Sequence, residues 1–511
     1  MDAAKRASRL ARSLAPAASC PSAVNGGVFV FFAAVVAGAL VSAWWMSASA
    51  RVPWITPVAT QQATSQNATP PPEPAPSLPR VTSNVATTTI TTNTPPGTAP
   101  PPEQEAAPDC PAYFRWIHED LRPWRDSGIT RNAVEEAARR RYAAKFRVTV
   151  VAGRLYVARY GRCFQTRDVF TQWGVLQLLR RYPGGVPDLD LMFDCQDLPV
   201  VVRADDGQSP PPLFRYSGSD TTLDIAFPDW SFWGWPELNI KPWDALRREM
   251  KEGNAMVKWT DRAPYAYWKG NPTVGAQRPD LLRCNVSGKH DWNARIYAQD
   301  WRKEVQEGFR ESDLSKQCKH REYSPVRARR YKIYIEGRGW SVSGKYILAC
   351  DSVALVVRPR FHDFFSRGLA PLRHYWPVSD RGKCRSIKFA VDWGNAHTDK
   401  AQEIGRNASR FIQEELTMDH VYDYMFHLLT EYAKLLRYKP AVPRGAAEVT
   451  VESMTRGRRG LQRQFMMDTL VNQSSGQQPC RLQQPFSPQE LETLRRTKAD
   501  VLRRVEEWEK Q

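Results

Sequence analysis

The sequence predicts an α/β protein of two Rossmann-like lobes, preceded by a single transmembrane helix and a disordered stem. Three observations lead there. Beyond position 110, short β-rich runs alternate with helical patterns, which is how a layered α/β architecture reads in sequence. Those elements fall into two groups, 110–250 and 255–440, each of ordinary domain size. Ahead of them lie one long uncharged stretch and a Pro/Thr-rich segment unable to fold.

Residues 28–46 (VFVFFAAVVAGALVSAWWM) carry no charge over 19 positions, about the length a helix needs to cross roughly 30 Å of hydrocarbon. Lys5, Arg6, Arg9 and Arg12 precede it against a single acid, Asp2. Positive charge stays inside, so 1–27 is expected to be a cytoplasmic tail and the remainder extracytoplasmic. A cleaved signal peptide has a shorter apolar core, and Trp44 and Trp45 resemble an interfacial belt, so a signal anchor is expected. Residues 52–108 are mostly Pro, Thr, Ala, Ser and Gln, a composition that stays extended. Tail, span and stem form the plan of a single-pass type II Golgi membrane protein. Shed receptors share it, so it names a place and not a reaction.

The compartment constrains the rest. Net charge is +18, from 72 Lys+Arg against 54 Asp+Glu. Nucleic acid is the usual partner of so basic a chain, but a lumenal domain does not meet it. Phosphate-bearing small molecules, acidic glycans and anionic membranes remain. Setting Cys20 aside leaves Cys110, Cys163, Cys195, Cys284, Cys318, Cys350, Cys384 and Cys480 in an oxidising lumen. Disulfides are expected, in pairings the sequence leaves open. No CxxC or HExxH occurs, so no metal centre is expected. Sequons begin at Asn67, Asn285, Asn407 and Asn472, as befits a lumenal glycoprotein.

Taken in order, 131–145 reads as a helix and 146–158 as a hairpin turning at Ala152-Gly153. Residues 166–182 read as a helix, and 189–194 (LDLMFD) as a buried parallel strand. The segments 331–337, 345–357 and 387–393 have β-rich character, and 398–415 and 417–437 are long helical patterns. Residues 441–486 read as an irregular return. Ser487-Pro488-Gln489-Glu490 then forms a capping box with proline at the first helical position. The resulting helix, 487–511, puts Leu491, Leu494, Val501, Val505 and Trp508 on one face, to pack on the chain or on a second copy in a homo-oligomer.

Few residues here carry chemistry. Asp197 follows the 189–194 strand, and ligands of open α/β sheets bind at the carboxyl ends of strands. A carboxylate there acts as a general base or merely caps a turn. Asp188-Leu189-Asp190 matches the DxD pattern that holds divalent metals, but it lies at the opposite end of that strand and reads as a chance match. The run 228–243 (PDWSFWGWPELNIKPW) is a rigid loop whose indoles plug a seam or stack on a ligand. Residues 265–279 place a strand, a glycine-containing turn and then Arg278, whose guanidinium suits phosphate. In 336–352, Gly, Ser and Lys345 again precede a buried segment, and backbone N–H groups there suit a diphosphate.

In this order, PDWSFWGWPE, YWKGNPT…R, WSVSGKYILACDS and the 398–437 region resemble the CAP10-domain glycosyltransferases, which include the Rumi-type protein O-glucosyltransferases. The likeness covers roughly 110–440. It implies a two-lobed glycosyltransferase-B fold and inverting, metal-independent transfer of glucose or xylose from a UDP-sugar, with no tightly bound cofactor. It puts the acceptor and the catalytic base, Asp197, on the first lobe, and the nucleotide sugar on the second. Trp230, Trp233 and Trp235 would shape the acceptor site. Asn271 and Arg278 match positions that hold the nucleotide sugar, though animal members have Ser in place of Asn271 and one residue is inserted before Arg278. The turn 338–343 matches the diphosphate cradle, so Arg338, Gly339, Ser341, Ser343 and Lys345 would line it. The Rumi-type pattern has arginine where Ser343 stands, which leaves Lys345 or Arg338 to supply the charge. Cys350 matches a disulfide-bonded position, with Cys318 its implied partner. The acceptor would be a glycoprotein or polysaccharide at the Golgi membrane. The alternatives are a non-catalytic lectin or scaffold retaining the fold, and a metal-dependent transferase using Asp188 and Asp190.

Overall fold

Among the described residues, hydrophobic runs and turn residues assemble eleven of thirteen strands into two main sheets, and the other two pair with each other. The computed structural model describes residues 107–139, 142–202, 209–306 and 328–511. In chain order the strands are β1 (Phe146–Val151), β2 (Arg154–Arg159), β3 (Leu189–Phe193), β4 (Leu213–Arg215), β5 (Gly218–Ser219), β6 (Ile225–Ala226) and β7 (Ala263–Gly270). They continue with β8 (Ala294–Ala298), β9 (Arg329–Tyr334), β10 (Val353–Val357), β11 (Phe361–His362), β12 (Trp376–Val378) and β13 (Ala447–Val449). The tail, the 28–46 span and the stem up to position 106 lie outside the described residues, as do Asn67 and Cys318. Among the described residues no helix is long and apolar enough to cross a membrane.

The first sheet runs β13-β2-β1-β3-β4-β6. It is mixed, which corrects the expectation of a Rossmann-like sheet for this part. β1 pairs antiparallel with β2 and β3, whereas β3, β4 and β6 run parallel. The hairpin needs positive φ at both turn residues, 51° at Ala152 and 72° at Gly153, because only such turns match strand twist. β3 is buried along its whole length, its apolar residues on both faces and its one acid, Asp190, held by Arg147 and Tyr438. The helix Arg167–Arg181 covers this sheet and is buried from Arg167 to Leu179. Its Gly174 lets the Trp233 indole lie where a Cβ would sit 2.5 Å from the ring.

The second sheet, β12-β10-β9-β7-β8, is parallel throughout. The chain leaves β7 for β8 on one side and returns to β9 on the other. The direction of winding therefore reverses between β7 and β9, where an open α/β sheet leaves a crevice. β5 and β11 pair antiparallel and join the first group of elements to the second.

Four expectations are corrected. Only Arg131–Glu136 of 131–145 is α-helical, since Ala143 takes φ 57° as the chain turns into β1. The 345–357 segment divides into the helix Ser343–Leu348 and β10. Residues 387–393 belong to the helix Lys383–Ala396, in which Ser386, Ile387, Ala390, Val391 and Gly394 are buried at helical spacing. The 441–486 return holds β13 and the helices Val451–Thr455 and Gly460–Asp468. The terminal helix Pro488–Trp508 forms as its capping box demands, and it packs on its own chain: Trp508 stacks on Trp393 at 6.4 Å and Val505 enters the core beneath the second sheet.

Cysteine pairing was open from sequence. Cys110–Cys480, Cys163–Cys195 and Cys284–Cys384 are disulfides. Cys350 is also disulfide-bonded.

The DxD aspartates serve the fold. Asp190, 1% exposed, receives two N–H bonds from Arg147 at 2.6 and 2.5 Å and the Tyr438 hydroxyl at 2.8 Å. Asp188 accepts the Ala152 amide at 2.7 Å and closes the hairpin turn. Removing one member of a buried ion pair strands the other charge, at a cost of about 3–5 kcal/mol. D190A is therefore expected to lose that much stability in urea denaturation, with D188A losing far less; equal, small losses would show that Asp190 is not a structural residue.

Candidate active site

Asp197 sits on a loop clamped from every side. The loop leaves β3 at Asp194, which pairs with Arg215 at the end of the neighbouring β4. Arg215 also donates to the Leu198 carbonyl and pairs with Asp224 at 3.1 Å. Asp224 in turn accepts the Val200 and Val201 amides at 2.9 Å each. Burial pushes the Asp194 and Asp224 carboxyls up in pKa, and the Arg215 charge opposes it. Cys195 is tied to Cys163, and Ser217 Oγ donates to the Asp197 carbonyl at 3.0 Å.

The Asp197 side chain remains reachable, at 26% exposure. Arg167 donates to its Oδ1 at 2.6 Å and to the Cys195 carbonyl at 3.1 Å, while its guanidinium lies 4.2 Å from the centre of the Trp230 ring. Oδ2 has no hydrogen bond to any described residue. One oxygen is thus fixed and the other is open to receive a proton.

Facing this carboxylate is the turn after β9. A Cβ on Gly339 would lie 2.2 Å from the Asp197 carbonyl oxygen, and one on Gly275 (φ 91°) would lie 2.1 Å from the Gly337 carbonyl oxygen. Three backbones therefore stack directly on each other: 197, 337–339 and the turn after β7. Only glycine permits this. Arg278 joins the two sides of the β7/β9 crevice by donating to the carbonyls of Glu336 (2.8 Å), Asn271 (3.1 Å) and Ile335 (3.2 Å). Its fourth bond goes to Ser341 Oγ at 3.3 Å, which is 2.8 Å from Ser343 Oγ. Burial pulls the Arg278 pKa down, and the charges of Tyr334 and Asp197 oppose it, so Asp197 lies within its electrostatic reach. The Asn271 side chain accepts from Thr273 at 2.7 and 2.9 Å and closes the turn.

The family model for glycosyl transferase family 90 matches residues 105–509. The chain belongs to that family. Among curated relatives it is 27% identical to protein O-glucosyltransferase 1 of Bos taurus over 356 residues, covering 67% of this chain and 85% of that one. It is 27% identical to the Homo sapiens enzyme of the same name over 353 residues (67% and 84%) and 25% identical to O-glucosyltransferase rumi of Drosophila melanogaster over 347 residues (65% and 79%).

Within this family 90 transferase, the expected site residues divide. Asp197, Asn271, Arg278, Gly339, Ser341 and Ser343 come together around the glycine turn. Arg338 is exposed at its rim and pairs with no described residue. Lys345 does not line the cradle: its ammonium is 2% exposed, 3.1 Å from Asp229 and 2.8 Å from Ser231 Oγ. The helix Ser343–Leu348 turns that side chain into the 228–243 loop, so it fixes the loop instead of offering a cation. Trp233 is likewise core, donating to Tyr422 at 3.0 Å. Trp230, 1% exposed, plugs the seam against Tyr216 and Trp340. Trp235 alone of the three is half-buried, with its Nε1 on Gln165.

Sequence reasoning missed Arg167, Arg215 and a cavity of about 820 Å³, counting its solvent-filled mouth, at the ends of β9 and β10. Tyr334, Gly344 and Asp363 are among the residues lining it. Nothing in a lone Arg at the start of a helix marks it as the partner of a carboxylate thirty positions on. For the glycine turn the expected outcome is concrete: G339A must push the Asp197 backbone aside, and transfer should fall at least tenfold with thermal stability changed by only a few degrees. Wild-type turnover in G339A would dissociate that contact from catalysis.

Proposed function

We propose that this chain is an inverting transferase that moves glucose or xylose from a UDP-sugar to a hydroxyl of a glycan or glycoprotein in the Golgi lumen. One observation carries the reading: a carboxylate with one oxygen held and one free, packed against a glycine turn at the crevice of a parallel sheet. Asp197 Oδ2 takes the proton of the acceptor hydroxyl as that oxygen attacks the anomeric carbon. Charge developing on the departing diphosphate faces the turn at 339–343, where the Ser341 and Ser343 hydroxyls and backbone amides donate. Arg278 shapes this turn, and Arg338 is the cation left to meet the phosphates. The cavity beside Tyr334 and Gly344 has room for the nucleoside. Relatives named O-glucosyltransferases favour glucose as the sugar.

The compartment is part of the proposal. The 28–46 segment as a signal anchor would put the transferase on the lumenal side, with its acceptor at the Golgi membrane. Three disulfides among the described residues suit an oxidising lumen. Metal independence is supported by the engagement of Asp188 and Asp190 in the fold.

A second reading has a specific basis. Ser343 replaces a family arginine, Lys345 is buried, and four Arg278 N–H groups are already taken, so a lectin retaining the fold would look similar. Turnover separates the two. D197N is expected to lose transfer by a thousandfold or more while still binding UDP; full activity in D197N would sink the assignment. A screen of UDP-glucose and UDP-xylose should show UDP release with one of them, and a lectin would release none. EDTA should leave the rate unchanged, whereas its abolition would revive a metal-dependent mechanism.

A further inference from the structure

Several exposed arginines of this chain have acids beside them: Arg154 pairs with Glu448 at 2.9 Å, Arg115 with Glu490 at 3.0 Å and Arg496 with Glu492 at 2.7 Å. One stretch departs from that pattern. Residues 453–467 (SMTRGRRGLQRQFMM) contain Arg456, Arg458, Arg459 and Arg463 and no acid. All four are exposed, and none pairs with an acid among the described residues.

The backbone gathers them. They lie on and just after the turn that links the helices Val451–Thr455 and Gly460–Asp468. Gly457 (φ 72°) and Gly460 (φ 55°) take left-handed conformations that glycine adopts at little cost, and a Cβ on either would meet nothing within 4 Å. The turn therefore stands clear of the rest of the protein. Arg463 reaches back to donate to the Thr455 carbonyl at 3.5 Å, so its guanidinium lies at the base of the same turn. Hydrogen bonds to its own amide and to Thr450 lower the Glu452 pKa, and the charge of the exposed Arg180 adds to this, which brings Arg180 close to the helix leading into the turn. Arg180 and Arg167, the partner of Asp197, lie thirteen positions apart on one helix, about 20 Å at the helical rise. The basic turn is thus outside the crevice.

We infer that this turn is a docking site for an acidic polysaccharide, one that carries a carboxylate on each repeat. Cations clustered without acids among them create a field that a polyanion neutralises at several points at once. Guanidinium suits a planar carboxylate, which accepts two parallel N–H bonds from one fork. A neutral glycan gains nothing from such a cluster. An anionic membrane fits less well, because basic segments that bind one also insert apolar side chains. Here every exposed side chain in 456–464 is Arg or Gln, and Leu461 packs on the core.

The test uses the full-length protein in phosphatidylcholine nanodiscs without donor, so its outcome does not depend on the role of Asp197. Equilibrium binding is measured at about 0.15 M salt, where unclustered surface charges are largely screened. The probes are polygalacturonate, neutral dextran and phosphatidylserine vesicles. Wild type is expected to bind polygalacturonate and not dextran, with affinity falling steeply as salt is raised. R456S/R458S/R459S should weaken binding at least tenfold, and the single exposed change R458E should weaken it in the same direction. R495S/R496S/R503S removes the same charge from the exposed terminal helix and should change binding less than twofold. Absence of polygalacturonate binding by wild type, equal losses in the two triple variants, or turn-dependent binding to the vesicles and not to the polymer each overturns the inference.

Discussion

One buried guanidinium underlies the site. Arg215, 2% exposed, binds Asp194 before the Asp197 loop, the Leu198 carbonyl within it, and Asp224, which gathers the amides after it. Parallel pairing of β3, β4 and β6 brings the three residues into reach: Asp194 and Arg215 lie at the carboxyl ends of β3 and β4, and Asp224 immediately precedes β6. Two buried carboxylates without Arg215 would have to neutralise or hydrate, and the loop between them would lose its shape. The placement of Asp197 is therefore a consequence of strand order.

The contact across the crevice is built differently. No side-chain lock joins Asp197 to the turn at 337–343; bare backbone does, at Gly339 on one side and Gly275 on the other. Such contacts are stiff, because a carbonyl oxygen against a Cα has no rotamer to give. The Trp340 indole adds to this by packing against both Tyr216 and Trp230 of the first group of elements. With β5 and β11 also paired, the two groups are joined at a second place.

Buried residues with misleading sequence character account for the expectations that failed. Ile387–Trp393 looks β-rich, but its buried positions repeat every three to four residues, and so short a run does not separate a buried helix from a strand by periodicity alone. Lys345 follows a glycine turn just as a phosphate-binding lysine would. Whether it points to the crevice or the interior depends on the helix Ser343–Leu348 and on Asp229, 116 positions away. Trp233 and Trp235 are two residues apart in one loop, yet one is core and the other reaches the Phe164 segment. Arg167 carries no motif at all.

Local chemistry determined what the sequence alone made legible. The hairpin at Ala152-Gly153, the buried β3, the capped terminal helix and the glycine turns each rest on a pattern within one segment, and the kinship with glycosyl transferase family 90 on several such segments in order. Tertiary structure decided which long-range charges meet: Asp197 with Arg167, Arg215 with two aspartates, Asp190 with Arg147, Lys345 with Asp229. The reason is that a charge buried without a partner is costly, while which partner it finds depends on strand order and crossover, and these act between segments far apart along the chain.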